Sequence, residues 1–433
     1  MKKIWILLLV FLLIPQVSFA NGYKKLTLDD AIKLGTSSNL DVKSEKLNID
    51  IAKNNIKAAN RFQNPSINVY ENFGQAGKGN PQQVGISEDI ELFKRGARKK
   101  LAKSNFELAK QNTAFVQFNS RMDIREAYVD LVSAKSILKA LESQQQLLKE
   151  LLDVAQKRFN AGATPEMDVI QARIALNQMT TQINSARVDV ESARYEFNKA
   201  LNVKGKDVYD ANEDILPENT QFISLFTPSP KKSLPEFSTI ENDALNKRFD
   251  IKIAKQQIDV ANKNLTVVKR QRIPDLSIQG GYSYQPKHYS EEDRFMQGGY
   301  IGGSLVNLPI FYNYSPEIKN AKLQVEQAKL NYDSVQNKAI NNLDEAYEKF
   351  VTSRLNLNYY DDKLLKDSNE MIRISKRSYE VGKSNLTTLI VMEQSYRSII
   401  VGYTNALASY YDCWIDFLRE VNNEEFMLDE NKL

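Results

Sequence analysis

Residues 97–159 read ARKKLAKSNFELAKQNTAFVQFNSRMDIREAYVDLVSAKSILKALESQQQLLKELLDVAQKRF, with neither proline nor glycine. Small, apolar or amide side chains recur in the second half of this stretch at alternating steps of four and three: Ala127, Leu131, Ala134, Leu138, Leu141, Gln145, Leu148, Leu152, Ala155 and Phe159. A mean spacing of about 3.5 residues is typical of a helix packed lengthwise on another helix. At about 1.5 Å per residue the rod would be about 90 Å long, too long for an ordinary globular core.

The N-terminus carries the signature of an export signal. Lys2 and Lys3 precede an apolar run over residues 4–14, and Ala20 ends a cleavage motif of small residues, so we expect residues 1–20 to be a signal peptide. The formal net charge is +4, and removal of the two lysines leaves +2. This balance does not indicate a nucleic-acid partner. Beyond the signal the sequence offers no apolar run long enough for a membrane-spanning helix.

The residue inventory argues against an enzyme. Cys413 is the only cysteine and His288 the only histidine. Thiolate or imidazole metal cages and histidine-based catalytic triads therefore lack their ligands and bases. We expect no catalytic, cofactor or metal site, and we interpret His288 as part of an exposed acidic loop.

The chain contains the same layout twice. A helix over residues 28–62 is followed by two strands, the long helix, a Gly- and Pro-containing turn over residues 160–165 and a return helix to Leu201. Two segments recur 209 positions later: residues 39–43 as 248–252, and residues 65–67 as 274–276. Two alanines of the long helix recur 219 positions later, Ala102 as Ala321 and Ala109 as Ala328. The turn residues Phe159 and Gly162 recur as Tyr379 and Gly382. The sequence thus indicates a duplicated module.

The duplication defines the domains. After the signal peptide, a first repeat spans residues 21–201, and a connector with four prolines spans residues 202–235. A second repeat spans residues 236–421, with a long helix predicted from Ser315 to Tyr379. Residues 422–433 form an acidic tail that we expect to be frayed.

The four predicted strands have the length of tilted membrane-spanning strands. Four strands cannot close a barrel, and open sheet edges are not tolerated in hydrocarbon, so closure requires further copies of the chain. Two copies give eight strands and three give twelve with an open lumen. The aromatics expected at the membrane interfaces are Tyr70, Phe73, Tyr282, Tyr284 and Tyr300. Glu71 and Glu88 interrupt the apolar alternation, and a soluble hairpin that caps a coiled coil is the alternative.

Four short motifs in order carry a family resemblance. They are Asn64-Pro65-Ser66-Ile67 with Glu71-Asn72-Phe73-Gly74, Ile90-Glu91-Leu92-Phe93-Lys94-Arg95, Arg272-Ile273-Pro274-Asp275-Leu276, and Leu308-Pro309-Ile310-Phe311. Within the duplicated frame, the chain resembles the TolC-like outer-membrane efflux proteins over almost all of its mature length. The amino-acid sequences of these motifs are most similar to those of the branch that serves cobalt–zinc–cadmium (CzcC-like) resistance systems.

The resemblance implies a mainly α protein with a small membrane β part. As a homotrimer it would form a twelve-strand β-barrel in the outer membrane on a twelve-helix α-barrel in the periplasm. The expected function is the passive exit duct of a tripartite efflux pump for heavy-metal cations or small toxic molecules. The implied partners are a periplasmic adaptor, an inner-membrane transporter of the resistance-nodulation-division or ABC type, and outer-membrane lipid.

The resemblance also implies site residues. The turns at the ends of the rods carry an aromatic-x-x-Gly pattern, Phe159 to Gly162 and Tyr379 to Gly382, and would dock the adaptor through exposed aromatics. The candidates for the periplasmic mouth are Asp168, Thr388, Val391 and Glu393; Thr388 and Val391 stand where relatives place acidic rings.

Two other functions remain open from the sequence. The chain could serve a type I protein secretion system, or it could be a periplasmic coiled-coil scaffold without a channel. The paired hairpins favour a channel over a scaffold, since a scaffold has no use for them.

Overall fold

The computed structural model describes residues 23–71, 82–204, 208–215, 235–284, 298–360, 362–424 and 426. The elements of the first repeat are β1 (Lys24–Leu26), α1 (Leu28–Ser38), α2 (Leu40–Ala59), β2 (Ser66–Glu71), β3 (Gln82–Ile90), α3 (Lys94–Asn160) and α4 (Glu166–Ala200). After β4 (Tyr209–Ala211), the second repeat contains α5 (Phe237–Lys247), α6 (Phe249–Arg270), β5 (Asp275–Tyr284), β6 (Gly298–Val306), α7 (Ser315–Asn358), α8 (Asp362–Glu380) and α9 (Leu386–Val421).

The long helix α3 confirms the rod predicted from the sequence. It spans 67 residues and begins at Lys94, slightly earlier than expected. Every residue of the predicted seam except Phe159 at its end is buried or half-buried, because α4 returns along this face. The period of 3.5 therefore located both the helix and its packing face.

The first helix of each repeat is split, which the sequence analysis missed. Asn39 separates α1 from α2, and its side-chain oxygen accepts hydrogen bonds from Asp41 N at 2.8 Å and Val42 N at 3.1 Å. This is an N-cap, which starts a new helix with a new direction. The second repeat has the same break at Arg248, between α5 and α6.

The second long helix is also interrupted, so the prediction of one helix from Ser315 to Tyr379 is wrong. The amides of Tyr359 and Tyr360 bond to the carbonyls of Asn356 and Leu357, three residues back, which is the tight turn of a helix end. The residues at the break are moderate helix formers. The ring of Tyr360 lies 6.0 Å from that of Tyr403 on α9, so the interruption packs against the neighbouring helix.

The predicted hairpins pair into one four-stranded antiparallel sheet in the order β2-β3-β5-β6. The cross-strand register places apolar side chains on one face: Ile67, Val69, Val84, Ile86, Ile90, Leu276, Ile278, Tyr282, Ile301 and Leu305. The other face carries Asn, Gln, Ser and Gly residues. Most of the apolar face is exposed in the single chain, and Glu88 lies on it opposite Ile278.

Two of the predicted interfacial aromatics lie on the polar face instead. Tyr70 is opposite Gln83, and Tyr300 is opposite Gly281 in a row that continues to Gly85. A Cβ atom at Gly85 would lie 2.6 Å from the hydroxyl oxygen of Tyr300, so that ring occupies space left by the glycines. Tyr282 and Tyr284 share the apolar face as expected.

The C-terminal tail is anchored at its start, contrary to the expectation of fraying. Glu424 accepts hydrogen bonds from Arg121 Nε at 2.7 Å and Arg125 Nη2 at 2.8 Å, so an ion pair binds it to α3. In the predicted connector, β4 pairs in parallel with β1 and forms a short strand that the sequence analysis missed. Phe73 and His288 lie outside the described residues.

Two hydrophobic clusters hold the helices together. The central cluster includes Met122, Tyr128, Phe350 and Trp414 and joins α1, α3, α4, α5, α7 and α9. The tip cluster, far from the sheet, includes Leu148, Ala155, Val169, Tyr379 and Leu389. Within the part of the chain that the structure describes, no helix has the length and apolar character needed to cross a membrane.

Candidate functional site

The two helical hairpins end in turns of the same construction. In the α3–α4 turn, Gly162 N bonds to Phe159 O at 2.8 Å and Ala163 N to Arg158 O at 2.8 Å. In the α8–α9 turn, the same two hydrogen bonds recur from Gly382 N to Tyr379 O at 3.0 Å and from Lys383 N to Ser378 O at 2.8 Å. This is the pattern of a helix that stops at a left-handed glycine.

The backbone conformation at both positions requires glycine. Gly162 has φ +71° and Gly382 has φ +77°, a conformation that other residues adopt only with strain. A Cβ at Gly162 would touch nothing within 4 Å, whereas one at Gly382 would meet Arg158 at 3.4 Å. Gly162 is therefore at an open surface, and Gly382 faces the first hairpin.

The aromatic residues of the two turns have different surroundings. Phe159 is 37% exposed, but Tyr379 is only 1% exposed. The expectation of an exposed docking aromatic is therefore wrong for Tyr379. Its ring packs into the tip cluster, with the guanidinium of Arg158 4.7 Å from the ring centroid.

Polar contacts join the second hairpin to the first at the tip. Arg158 donates a hydrogen bond to the carbonyl of Tyr379, and the hydroxyl of Tyr379 lies 3.5 Å from Asp168. Lys376 donates to Glu150 at 2.5 Å. Tyr379 and Asp168 were predicted from the sequence, but Arg158, Lys376 and Glu150 were not, because their partners are more than 200 positions away.

The mouth candidates on α9 lie on two faces of the helix. Thr388 and Val391 are exposed, whereas Glu393 is 2% exposed and points toward the first hairpin. Glu393 shares a small cavity with the leucines of α3, together with Lys376, Tyr379 and Glu380 of α8. The structure therefore does not support Glu393 as a carboxylate that lines an open mouth, because packing between the hairpins encloses it.

The enclosure of Glu393 affects its charge. Burial raises the pKa of the Glu393 carboxyl, and Arg397, whose Nη1 lies 3.6 Å from Oε1, only partly opposes the effect. Oε1 has no hydrogen-bond partner. The neutral acid is thus the form that the tip accommodates best.

We expect the tip to lose stability as pH rises from mildly acidic to neutral. A raised pKa means that the folded state binds the proton more tightly, so this contribution is complete below the ordinary carboxyl pKa and lost as pH rises through the raised value. Glu393→Gln should remove this pH dependence and raise the thermal midpoint at neutral pH. Thermal unfolding of the wild type and the variant at mildly acidic and at neutral pH measures the pH dependence and the change in midpoint.

Glu348→Gln supplies the control, since this carboxyl is exposed on α7. It should leave the pH dependence of the thermal midpoint as in the wild type. If the two variants behave alike, the buried carboxyl is not the source of the effect.

The sequence matches the family described as "Outer membrane efflux protein" over residues 32–203 and 241–398. The chain belongs to this family. It is 22% identical over 390 residues to the cobalt-zinc-cadmium resistance protein CzcC of Cupriavidus metallidurans, which covers 89% of this chain and 87% of the relative. The crystal structure of the Campylobacter jejuni CmeC outer membrane channel matches with TM-score 0.70 and 20% identity, over 93% of this chain and 90% of that one. CusC, a transmembrane channel, matches with TM-score 0.74 and 14% identity, over 92% of each chain.

Membership in the outer membrane efflux family confirms the resemblance seen in the sequence. It places the protein in the cell outer membrane with its helical part in the periplasm. Channels of the family form trimers and act in tripartite pumps with an adaptor and an inner-membrane transporter. Among the residues that the structure describes, no group of His, Cys, Asp or Glu side chains is arranged to hold a metal ion.

Proposed function

We propose that the protein is the passive exit duct of a tripartite efflux pump and works as a homotrimer. The observation that carries this proposal is the sheet with one apolar and one polar face and two open edges. Such a sheet is stable in a membrane only when its edges are paired, its apolar face meets lipid and its polar face meets water. Three copies supply twelve strands, which enclose a water-filled lumen.

The helices extend the duct into the periplasm. Four long rods per copy (α3, α4, α7 with α8, and α9) give a twelve-helix tunnel in the trimer. In this arrangement the α3–α4 and α8–α9 turns stand at the end farthest from the membrane. That end is the accessible position for a periplasmic adaptor, and Gly162 and Phe159 offer it an exposed surface.

The substrate class rests on the relative with high coverage of both chains. CzcC is a cobalt-zinc-cadmium resistance protein, so divalent metal cations are our first candidate for the cargo, with small toxic molecules as the second. The cargo would be selected by the inner-membrane transporter, of the resistance-nodulation-division or ABC type. A role in type I protein secretion would use the same duct and differ only in the transporter.

Two measurements on the detergent-extracted protein test the duct. We expect a particle with the mass of three chains, and we expect ion conductance after its insertion into planar bilayers. A stable monomer, or a trimer that never conducts, would overturn the proposal. A soluble particle without detergent would favour the scaffold.

A further inference from the structure

The contact between the two repeats inside one chain offers a template for the contact between copies. We call it the inter-repeat joint: β3 pairs with β5, Lys94 Nζ forms an ion pair with Asp275 Oδ2 at 2.8 Å, and Arg270 donates to the Phe93 carbonyl at 2.8 Å. The first repeat supplies the strand-to-helix corner, and the second supplies the start of its own hairpin. A ring of copies needs the same joint again, from a second repeat to the first repeat of the next copy.

The exposed residues of the first repeat match the covered residues of the second. Asp275 is buried and Leu276 half-buried under β3, whereas Ser66 and Ile67, 209 positions earlier, are exposed, Ile67 to 75%. At the other edge of the sheet, the residues that follow β6 are exposed to solvent in the single chain, and Phe311 is fully exposed. In the other repeat, the equivalents of these two surfaces are the ones that the inter-repeat joint covers.

The internal repeat fixes how the edges align. Ser66 pairs with Ser87 in the first hairpin, and Asp275 pairs with Val306 in the second. Ser66 and Asp275 differ by 209 positions, as do Pro65 and Pro274. Ser87 and Val306 differ by 219, as do Ala102 and Ala321 on the long helices. Both offsets are thus supported by the sheet and by the sequence.

We infer from these offsets that β6 of one copy pairs with β2 of the next in one defined register. The joint pairs Ser87 with Gln279. Ser87 plus 219 positions is Val306, and Gln279 minus 209 positions is Tyr70. The equivalent contact between copies therefore places Val306 of one copy opposite Tyr70 of the next. A second pair inside both strands is Leu305 opposite Glu71, transposed from Ile86 and Gly280. This inference rests on the proposed trimer and specifies how its copies meet.

The inferred register keeps the two faces of the sheet continuous from one copy to the next. A shift of one residue would move every side chain of a strand to the other face. In the inferred register, Val306 and Tyr70 both belong to the polar face, since they pair with Asp275 and Gln83 in their own hairpins. The apolar faces of neighbouring copies therefore join into one continuous surface for lipid.

The same transposition assigns a role to Arg61. It stands 209 positions before Arg270, which donates to the carbonyl of Phe93 at the inter-repeat joint. Arg61 is exposed in the single chain and is placed to donate to the β6–α7 corner of the neighbouring copy. The ion pair is not repeated, because Ser66 stands where Asp275 does. The contact between copies therefore lacks one charged interaction of the inter-repeat joint.

Disulfide trapping tests the register in the full-length protein, in a Cys413→Ala background. Opposed residues of neighbouring strands have Cβ atoms about 4.5–5.5 Å apart, within reach of a disulfide after small adjustments, whereas residues two positions off are about 7–8 Å apart. Val306→Cys with Tyr70→Cys should convert most of the single-chain band on a non-reducing denaturing gel into linked dimers and trimers. Ser87→Cys with Gln279→Cys is the matched positive control and should link within one chain.

The alternative register is tested by Val306→Cys with Asn68→Cys, on the same face but two residues away, which should stay unlinked. Links in this pair, or no links in Val306→Cys with Tyr70→Cys while the particle is trimeric, would overturn the inferred register and leave the duct standing. A monomeric particle in every variant would overturn the duct itself. If the first pair prevents assembly, Leu305→Cys with Glu71→Cys tests the same register inside both strands, and its failure to link in a trimer has the same meaning.

Discussion

Gly162→Trp is expected to abolish efflux while the protein still assembles in the outer membrane. The residue has φ +71°, and a Cβ there would touch nothing within 4 Å. The strain of a left-handed tryptophan costs about 1–2 kcal/mol at a local turn, which is small against the packing of the rods. The bulk, however, stands on the surface proposed for the adaptor. Host tolerance of cobalt, zinc and cadmium salts and of a toxic dye, with trimer levels in membranes, measures the effect.

Gly162→Asn separates bulk from strain, because asparagine tolerates the left-handed conformation and adds little volume. We expect this variant to retain most of the efflux. A single cysteine at Ala163, in a Cys413→Ala background, should cross-link to the adaptor. Normal export by the tryptophan variant, together with no cross-linked partner, would mean that docking occurs elsewhere on the tunnel.

Leu148→Asp is expected to destabilise the tip by about 3–5 kcal/mol, because it places an unpaired charge in a packed interface. Leu148 is 1% exposed and belongs to the tip cluster between α3, α4 and the second hairpin. Its side chain lines the same cavity as Glu393, so the new carboxylate would also face a buried acid. We expect little folded protein in the membrane and a clear loss of thermal stability.

The neighbouring residue provides the control. Lys149 is exposed on the outer side of α3, and Lys149→Asp should change the thermal midpoint very little, since exposed substitutions usually fall within about 0.5 kcal/mol. Equal losses at both positions would show that the interface lies on a different face of the helix.

The sequence predicted those features that depend on local periodicity or on the repeat. The seam of α3 follows from side chains spaced along one helix, and the turns at Gly162 and Gly382 follow from the limited ways in which a helix can end. The hairpins and the duplicated order of elements were predicted for the same reason. The family motifs then supplied the function, which periodicity alone left open between a channel and a scaffold.

The features that were missed depend on contacts between distant parts of the chain. Tyr379 is buried because Arg158 and the tip cluster of the first hairpin cover it, and nothing near Tyr379 in the sequence indicates this. Tyr300 lies on the polar face because the strand register brings Gly281 and Gly85 beside it. A one-residue change in register would have reversed that result, so composition alone could not have decided it.

The interruption between α7 and α8 makes the two helical hairpins mechanically unequal. In the first hairpin, α3 and α4 each cross both hydrophobic clusters without a break, so a load on the α3–α4 turn has two continuous paths to the middle of the molecule. In the second hairpin only α9 is continuous, because α7 ends at Asn358 and α8 begins at Asp362. Bending there costs no helical hydrogen bond in α7 or α8. We therefore expect the second hairpin to bend more easily between its two helices than the first.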